Sequence, residues 1–336
     1  MNRRISKYNS LFFVALGCVL AILFITDLTV GSVELSLKDV WTSFFGDGAH
    51  KSKILYQFRL PKACVAVFTG VSLSVAGLQM QTIFRNPLAD PYVLGVSSGA
   101  GLGVALFIMG ASSFALVESL RDLGTYAAAL GGSAMVLLLI LFVSTRVKDV
   151  MSVLILGVMF GSGISAIISI LQYFGASAGV KTYMIWTMGS LGSVASDKLP
   201  LMGCALLVGI IISVFSIKPL NALLLGENYA RSMGVGIRRS RNMVFLGTSI
   251  LTGTATAFCG PIGFIGIAVP HLTRILFRQA DHRILMPGTM LIGACIMLLC
   301  DILSQSIIRD LTLPINSVTA LLGIPVIIFV IAGHKQ

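Results

Sequence analysis

Charge is what this sequence has least of. Asp, Glu, Lys and Arg make up 11% of its 336 residues, and only 13 of them are acidic. That is too few to cover soluble domains of this size. No GxxxxGK[ST] loop occurs, so the chain offers no phosphate cradle of its own for ATP. Cys18, Cys64, Cys204, Cys259, Cys295 and Cys300 lie in or beside apolar segments without CxxC spacing, which argues against a disulfide framework or a zinc site. The four histidines are scattered, so no metal cluster is visible. No Ser-His-Asp set and no paired carboxylates stand out, which leaves a membrane enzyme without a catalytic cluster.

Apolar residues are abundant instead, at 56%. Apolar runs of roughly 17–25 residues, long enough to cross a bilayer, recur along the chain. The formal net charge of +11 could suggest nucleic acid, but the basic residues sit mostly in short connections between apolar runs. That is the positive-inside pattern of a membrane protein, and no nucleic-acid partner is expected.

Read in order, the chain predicts an all-α polytopic membrane protein with about ten transmembrane helices. The spans fall near 11–25, 60–84, 92–109, 123–144, 150–174, 201–217, 243–259, 267–277, 285–308 and 314–333. Arg3, Arg4 and Lys7 precede the first run. A cleaved signal peptide is the rival reading there; a retained span is preferred, because Ala-x-Ala-like cleavage chemistry is missing and more spans follow. Arg146 and Lys148, like Arg278, His282 and Arg283, lie inside, and both termini are expected in the cytoplasm. Leu37, Val40, Trp41, Phe44 and Phe45 recur at helical spacing and predict a short helix on the outer membrane face. Residues 175–199 are too short and Gly-rich to cross.

Two apolar stretches are joined by a break at 84–95, which contains Pro87 and Pro91. Proline lacks an amide proton and disfavours helix in the residue before it. In hydrocarbon such a break is tolerated only beside protein or a watery cavity. A plain surface loop is the alternative, and the Gly-rich continuation argues against it, since small residues let helices approach closely. A second break, at 260–266, has the same plan and is entered from the opposite side. Paired broken helices of opposite orientation are what an inverted repeat predicts, and they point to a transport path.

Residues 218–241 are the largest polar insertion assigned to the cytoplasmic side. Glu227 to Met233 reads as a short amphipathic helix stopped by Gly234 and Gly236. Leu223, Leu224 and Leu225 would be odd facing only water, and exposed apolar groups mark a partner contact. Asp301 is an intramembrane carboxylate, read as one satisfied by a helix end or a neighbouring hydroxyl because no matching cation is evident in the spans. His271, alone, is read as structural.

The stretch RNPLADPYVLGVSSGAGLG resembles the signature of the membrane permease subunit of binding-protein-dependent ABC importers for iron siderophores, haem and vitamin B12, the FecCD type. GENYARSMGVGIRR, GFIGIAVPHLTRIL and LPINSVTALLGIP repeat the resemblance, which runs from about residue 35 to about 331. It implies a single transmembrane permease domain over 1–336 in the bacterial inner membrane, paired with a second copy of itself. Two separate ATP-binding cassette subunits would hold ATP and Mg, with no cofactor in this chain, and a soluble binding protein would deliver a metal-chelate cargo.

The resemblance also assigns roles. Asn86 and Leu88 would line a cytoplasmic gate with Val150 and Met151 opposite. In the family those last two positions are often more polar, so here the gate would close by excluding water. Glu227, Ala230, Arg231, Ser232, Gly234 and Val235 would couple the ATPases to the spans. Arg59 and Lys62 would receive acidic residues of the binding protein. A third basic residue normally joins them; here Gln305 stands at that position, with Arg309 one turn further outward. The alternative class is a secondary transporter without an ATPase, which would need a charge relay in the spans.

Overall fold

A computed structural model describes residues 2–31, 33, 35–45, 49–110, 118–147, 149–307 and 311–333. Lys148 and Arg309 lie outside the described residues.

The described residues form a helical bundle. α1 (Asn2–Thr29) is followed by the short α2 (Leu37–Phe45) and α3 (Ala49–Ile54). α2 is the surface helix expected from the spacing of its apolar residues, with Val40 buried and Trp41 exposed. A π turn at Leu55–Arg59 then leads into α4 (Leu60–Ile83). Pro61 cannot donate to the Gln57 carbonyl, and the Ser196 hydroxyl takes that oxygen instead, at 3.1 Å.

Beyond the first break come α5 (Val96–Gly110), α6 (Glu118–Arg146), α7 (Val150–Phe174) and α8 (Ser177–Thr187). The expected third span starts later than 92 because Pro91–Leu94 form a 3-10 turn. α8 occupies the stretch read as non-spanning. α9 (Leu199–Phe215) bends by 46° into α10 (Ile217–Leu224), and α11 (Glu227–Ser232) follows. The insertion at 218–241 therefore begins as a continuation of the sixth span. α12 (Ile237–Cys259), α13 (Ile265–Phe277), α14 (His282–Ser306) and α15 (Ile315–Gly333) complete the chain.

Among the described residues, six helices are long and apolar enough to cross a membrane, and the bent α9–α10 pair makes a seventh. Three shorter apolar helices, in α5, α13 and α15, accommodate the expected number of about ten.

Burial separates centre from rim. The spanning windows of α4 and α12 are each 78% buried and that of α14 67%, against 11% for α1 and for α7. The central helices are close because their contact faces carry glycine. A Cβ on Gly70 would strike the Gly293 carbonyl, and one on Gly77 would strike that of Gly266. In α13, Pro270 leaves the Gly266 carbonyl without its usual helical donor. The Gln81 amide on α4 points at it, at 3.4 Å, and at the Ile267 carbonyl, at 3.2 Å.

Candidate functional site

The first break is shaped by its own side chains. Arg85 turns the chain with φ +46°, and Gly95 closes the 3-10 turn with φ +75°. Asn86 Oδ1 accepts from the Leu88 amide at 2.9 Å, and Asp90 Oδ1 from the Tyr92 amide at 2.7 Å. These side-chain turns replace the helical bonds that Pro87 and Pro91 forbid. Leu88 is left 42% exposed.

The loop then runs antiparallel along the second broken segment. His271 Nε2 donates to the Pro87 carbonyl at 2.8 Å, since a carbonyl can only accept. The Pro91 ring packs against Gly266, and the Ile262 amide donates to Tyr92 Oη at 2.9 Å. So the two breaks picked out in the sequence lie against each other. His271 thus has a partner in the first break.

Val150 begins α7 and Met151, 45% exposed, follows it. Asp149 caps this helix by accepting from the Ser152 amide at 2.9 Å, and the Ser152 hydroxyl and amide hold its carboxyl below the usual carboxylate range. Val150 lines a narrow crevice of about 10 Å³ with Thr82, Ile83, Arg85, Leu223, Glu227, Ile237 and Arg241. One end of the molecule therefore brings together the end of α4, the start of α7 and the α10–α11 region.

α11 ends as its sequence requires. Gly234 has φ +80°, its amide donates to the Arg231 carbonyl at 3.0 Å, and the Val235 amide reaches the Ala230 carbonyl at 3.0 Å. This is a Schellman stop, and it needs glycine's access to positive φ. Gly236 does not share that role: its φ is −73°, and it caps the start of α12. Ala230 is fully buried, while Arg231, Ser232 and Gly234 are exposed and Glu227 and Val235 half-buried. Arg231 and Val235 border an open groove of about 680 Å³, lined further by Gly236, Ile237, Arg238, Arg239 and Asn242. The three leucines before α11 divide. Leu223 is buried in the chain, and its carbonyl accepts from Arg85 Nη2 at 3.3 Å, whereas Leu224 and Leu225 are exposed. Arg241, grouped with the polar insertion from its sequence, is buried and donates from Nη2 to the carbonyls of Ser144 at 2.7 Å and Val147 at 2.9 Å.

At the other end of α4 the two basic residues turn inward. Arg59 donates to the Leu28 carbonyl at 2.8 Å and also to that of Val33. Lys62 Nζ lies 2.9 Å from Asp301 Oδ1, with the side chains 19% and 2% exposed. Gln305 Nε2 donates to the second Asp301 oxygen at 3.1 Å, and buried Asp27 neighbours Asp301. Asp301 thus has the cation that its sequence did not reveal, on a different span. Sequence reasoning also missed Asp27, Asn221 and His282. His282, assigned to a polar connection, is 1% exposed. The one local signal was Asp281, a helix-capping residue just before an apolar run, which accepts from the Arg283 amide at 2.9 Å.

Broken apolar helices packed on one another in the middle of a membrane-spanning bundle define a multi-span permease. The chain belongs to the FecCD transport family, whose signature it matches over residues 19–333. It is therefore a transport permease subunit and not a catalytic enzyme. It is 34% identical over 337 residues to a hemin transport system permease protein of Yersinia pestis, covering 100% of this chain and 99% of that one. It is 33% identical over 337 residues to a vitamin B12 import system permease protein of Shigella boydii, with the same coverage. Among solved structures it superimposes on an inward-facing transporter assigned to the metal-chelate ABC type, with TM-score 0.84 and 30% identity, covering 97% of this chain and 99% of the other.

Proposed function

We propose that this chain is the permease of a bacterial inner-membrane ABC importer for a metal chelate. An iron siderophore is the first candidate for cargo, with vitamin B12 and haem next. The chain forms one transmembrane domain over 1–336, with both termini in the cytoplasm. Two copies enclose the path, two ATPase subunits bind ATP and Mg, and a soluble binding protein delivers the cargo. The observation that carries the reading is the junction at one end of the bundle. The exposed residues of α11, suited to a partner, adjoin the crevice that holds Arg85 and Val150. Closure of an ATPase pair against α11 would press on Asn86 and Leu88 from one side and on Val150 and Met151 from the other.

The relatives named for hemin and vitamin B12, and the metal-chelate neighbour, support this cargo class. Docking of the binding protein would use Arg59, Lys62 and Arg309. In this conformation Arg59 and Lys62 hold partners within the chain, so docking would have to exchange them.

The test is the reconstituted complex, assayed for ATP hydrolysis and cargo uptake with and without loaded binding protein. Arg231→Glu weakens the contact with the ATPase. Gly234→Val strains the helix stop, because φ +80° suits a β-branched residue poorly. Both variants are expected to insert normally but to lose stimulation and uptake. Wild-type stimulation and uptake in both would remove α11 from the coupling role. Among the described residues, the group of buried Asp27 and Asp301 with half-buried Lys62 favours a secondary transporter, because it puts opposite charges between spans. Uptake by the purified chain with no ATPase present would install that reading instead.

A further inference from the structure

Asn221, near the end of α10, grips the first turn of α14 in three places. Its Oδ1 accepts from the His282 amide at 2.9 Å and faces His282 Nδ1 at 2.8 Å, while its Nδ2 donates to Asp281 Oδ1 at 2.6 Å. Across the imidazole, His282 Nε2 lies 2.9 Å from Thr82 Oγ1 in the last turn of α4. Three elements thus meet on one ring, and the ring and the Thr82 side chain are both buried. A buried polar network of this kind is stiff, because a broken bond leaves a group that water does not reach.

The proton positions follow from the partners. Asn221 Oδ1 cannot donate, so His282 Nδ1 carries a proton. In a neutral ring Nε2 then accepts the Thr82 hydroxyl. That hydroxyl has a second acceptor at the same distance, the Leu78 carbonyl one turn back, at 2.9 Å. One hydroxyl proton therefore has two destinations, one within α4 and one across to α14. Farther along, α4 and α14 are locked together by the Gly70–Gly293 contact and by Ser74 Oγ donating to the Thr289 carbonyl at 3.1 Å. Thr82 and His282 lie beyond these contacts, at the ends of the two helices, and Thr82 shortly precedes Asn86 and Leu88.

We propose that Asn221, His282 and Thr82 form the strut through which displacement of the α10–α11 unit reaches the gate loop. The inference rests on the importer reading above. The three are positioning residues: none needs to touch cargo or nucleotide. A rigid contact chain with a two-position hydroxyl is the kind of element that carries coupling between sites. Arg85, at 3.3 Å from the Leu223 carbonyl, supplies a weaker parallel contact, so some coupling persists without the strut.

The experiment reads gate movement directly. Leu88→Cys is introduced into the complete complex in a background lacking the exposed Cys18 and Cys204. Its maleimide labelling rate is measured with and without trapped ATP. The same complexes are assayed for import per ATP hydrolysed, with ferric hydroxamate siderophore, haemin and cyanocobalamin as probes. Asn221→Leu is expected to shrink the nucleotide-dependent change in labelling by about tenfold, and Thr82→Val by about threefold. Thr82→Ser, which restores the hydroxyl, returns it to wild type. Because the residues act in series, Asn221→Leu with Thr82→Val does no more than Asn221→Leu alone. If Asn221→Leu fails to insert, the Thr82→Val and Thr82→Ser pair decides, since valine keeps the shape of threonine. Wild-type gate movement in Thr82→Val overturns the strut and leaves the importer reading standing. No ATP-driven gate movement or import in the wild-type complex overturns both.

Discussion

The two breaks share a plan and differ in material. The first, at 84–95, is made by prolines and kept in shape by Asn86 and Asp90, and it presents Leu88 outward. The second, from Gly260 to the start of α13, has a single proline, Pro261, set between Gly260, with φ +75°, and Phe264, with φ +70°, and its Ile262 is buried. The second is tied to α8 and its following loop and to α15. The Ser190 amide donates to the Cys259 carbonyl at 2.8 Å, and the Gly263 amide to Asn316 Oδ1 at 3.0 Å. The comparison teaches a division of labour. One break is a fixed template inside the bundle, and the other is a loop laid along it and held at Pro87, Pro91 and Tyr92. Under the proposed importer reading the first break is the gate loop, and such a backing would let a segment that opens return to one closed position.

The template can be broken outright at Gly77. Its missing Cβ is what lets α4 lie on the Gly266 carbonyl, and that neighbour is backbone, which cannot swing aside. Gly77→Val is expected to cost upwards of about 3 kcal/mol, beyond ordinary overpacking. Size-exclusion chromatography after detergent extraction should show aggregated protein; a monodisperse peak with wild-type melting would mean that the helices can part here at little cost.

The loop's attachment is the next largest effect. His271→Ala removes the donor to the Pro87 carbonyl and is expected to cost about 1–3 kcal/mol. Leu88→Cys labelling without nucleotide should rise as the loop loosens, while His271→Gln, which keeps a donor, should fall between. Unchanged labelling in His271→Ala would transfer the holding role to Pro91 and Tyr92. The smallest effect belongs to Tyr92→Phe, which deprives the Ile262 amide of its acceptor at a cost of about 1 kcal/mol. Its melting midpoint should drop slightly with labelling near wild type. A drop as large as that of His271→Ala would show that the loop hangs from both ends equally.

Much of this was legible in the residues because it is local. Span length follows from apolar runs, since hydrocarbon accepts only backbone that bonds to itself. The first break follows from two prolines, and the α11 stop from Gly234. The resemblance carried by RNPLADPYVLGVSSGAGLG led to the family that residues 19–333 match. The partner of His271, the Lys62–Asp301 pair and the Asn221–His282–Thr82 junction were not legible. Each joins residues far apart in the chain, 239 positions for Lys62 and Asp301 and 200 for Thr82 and His282. Sequence by itself determined which backbone could cross a membrane and where it had to stop, because those are properties of neighbouring residues. Only the tertiary structure decided which buried polar groups face one another. A buried charge or amide must find a partner, but any helix brought alongside can supply it, and that choice is made by packing.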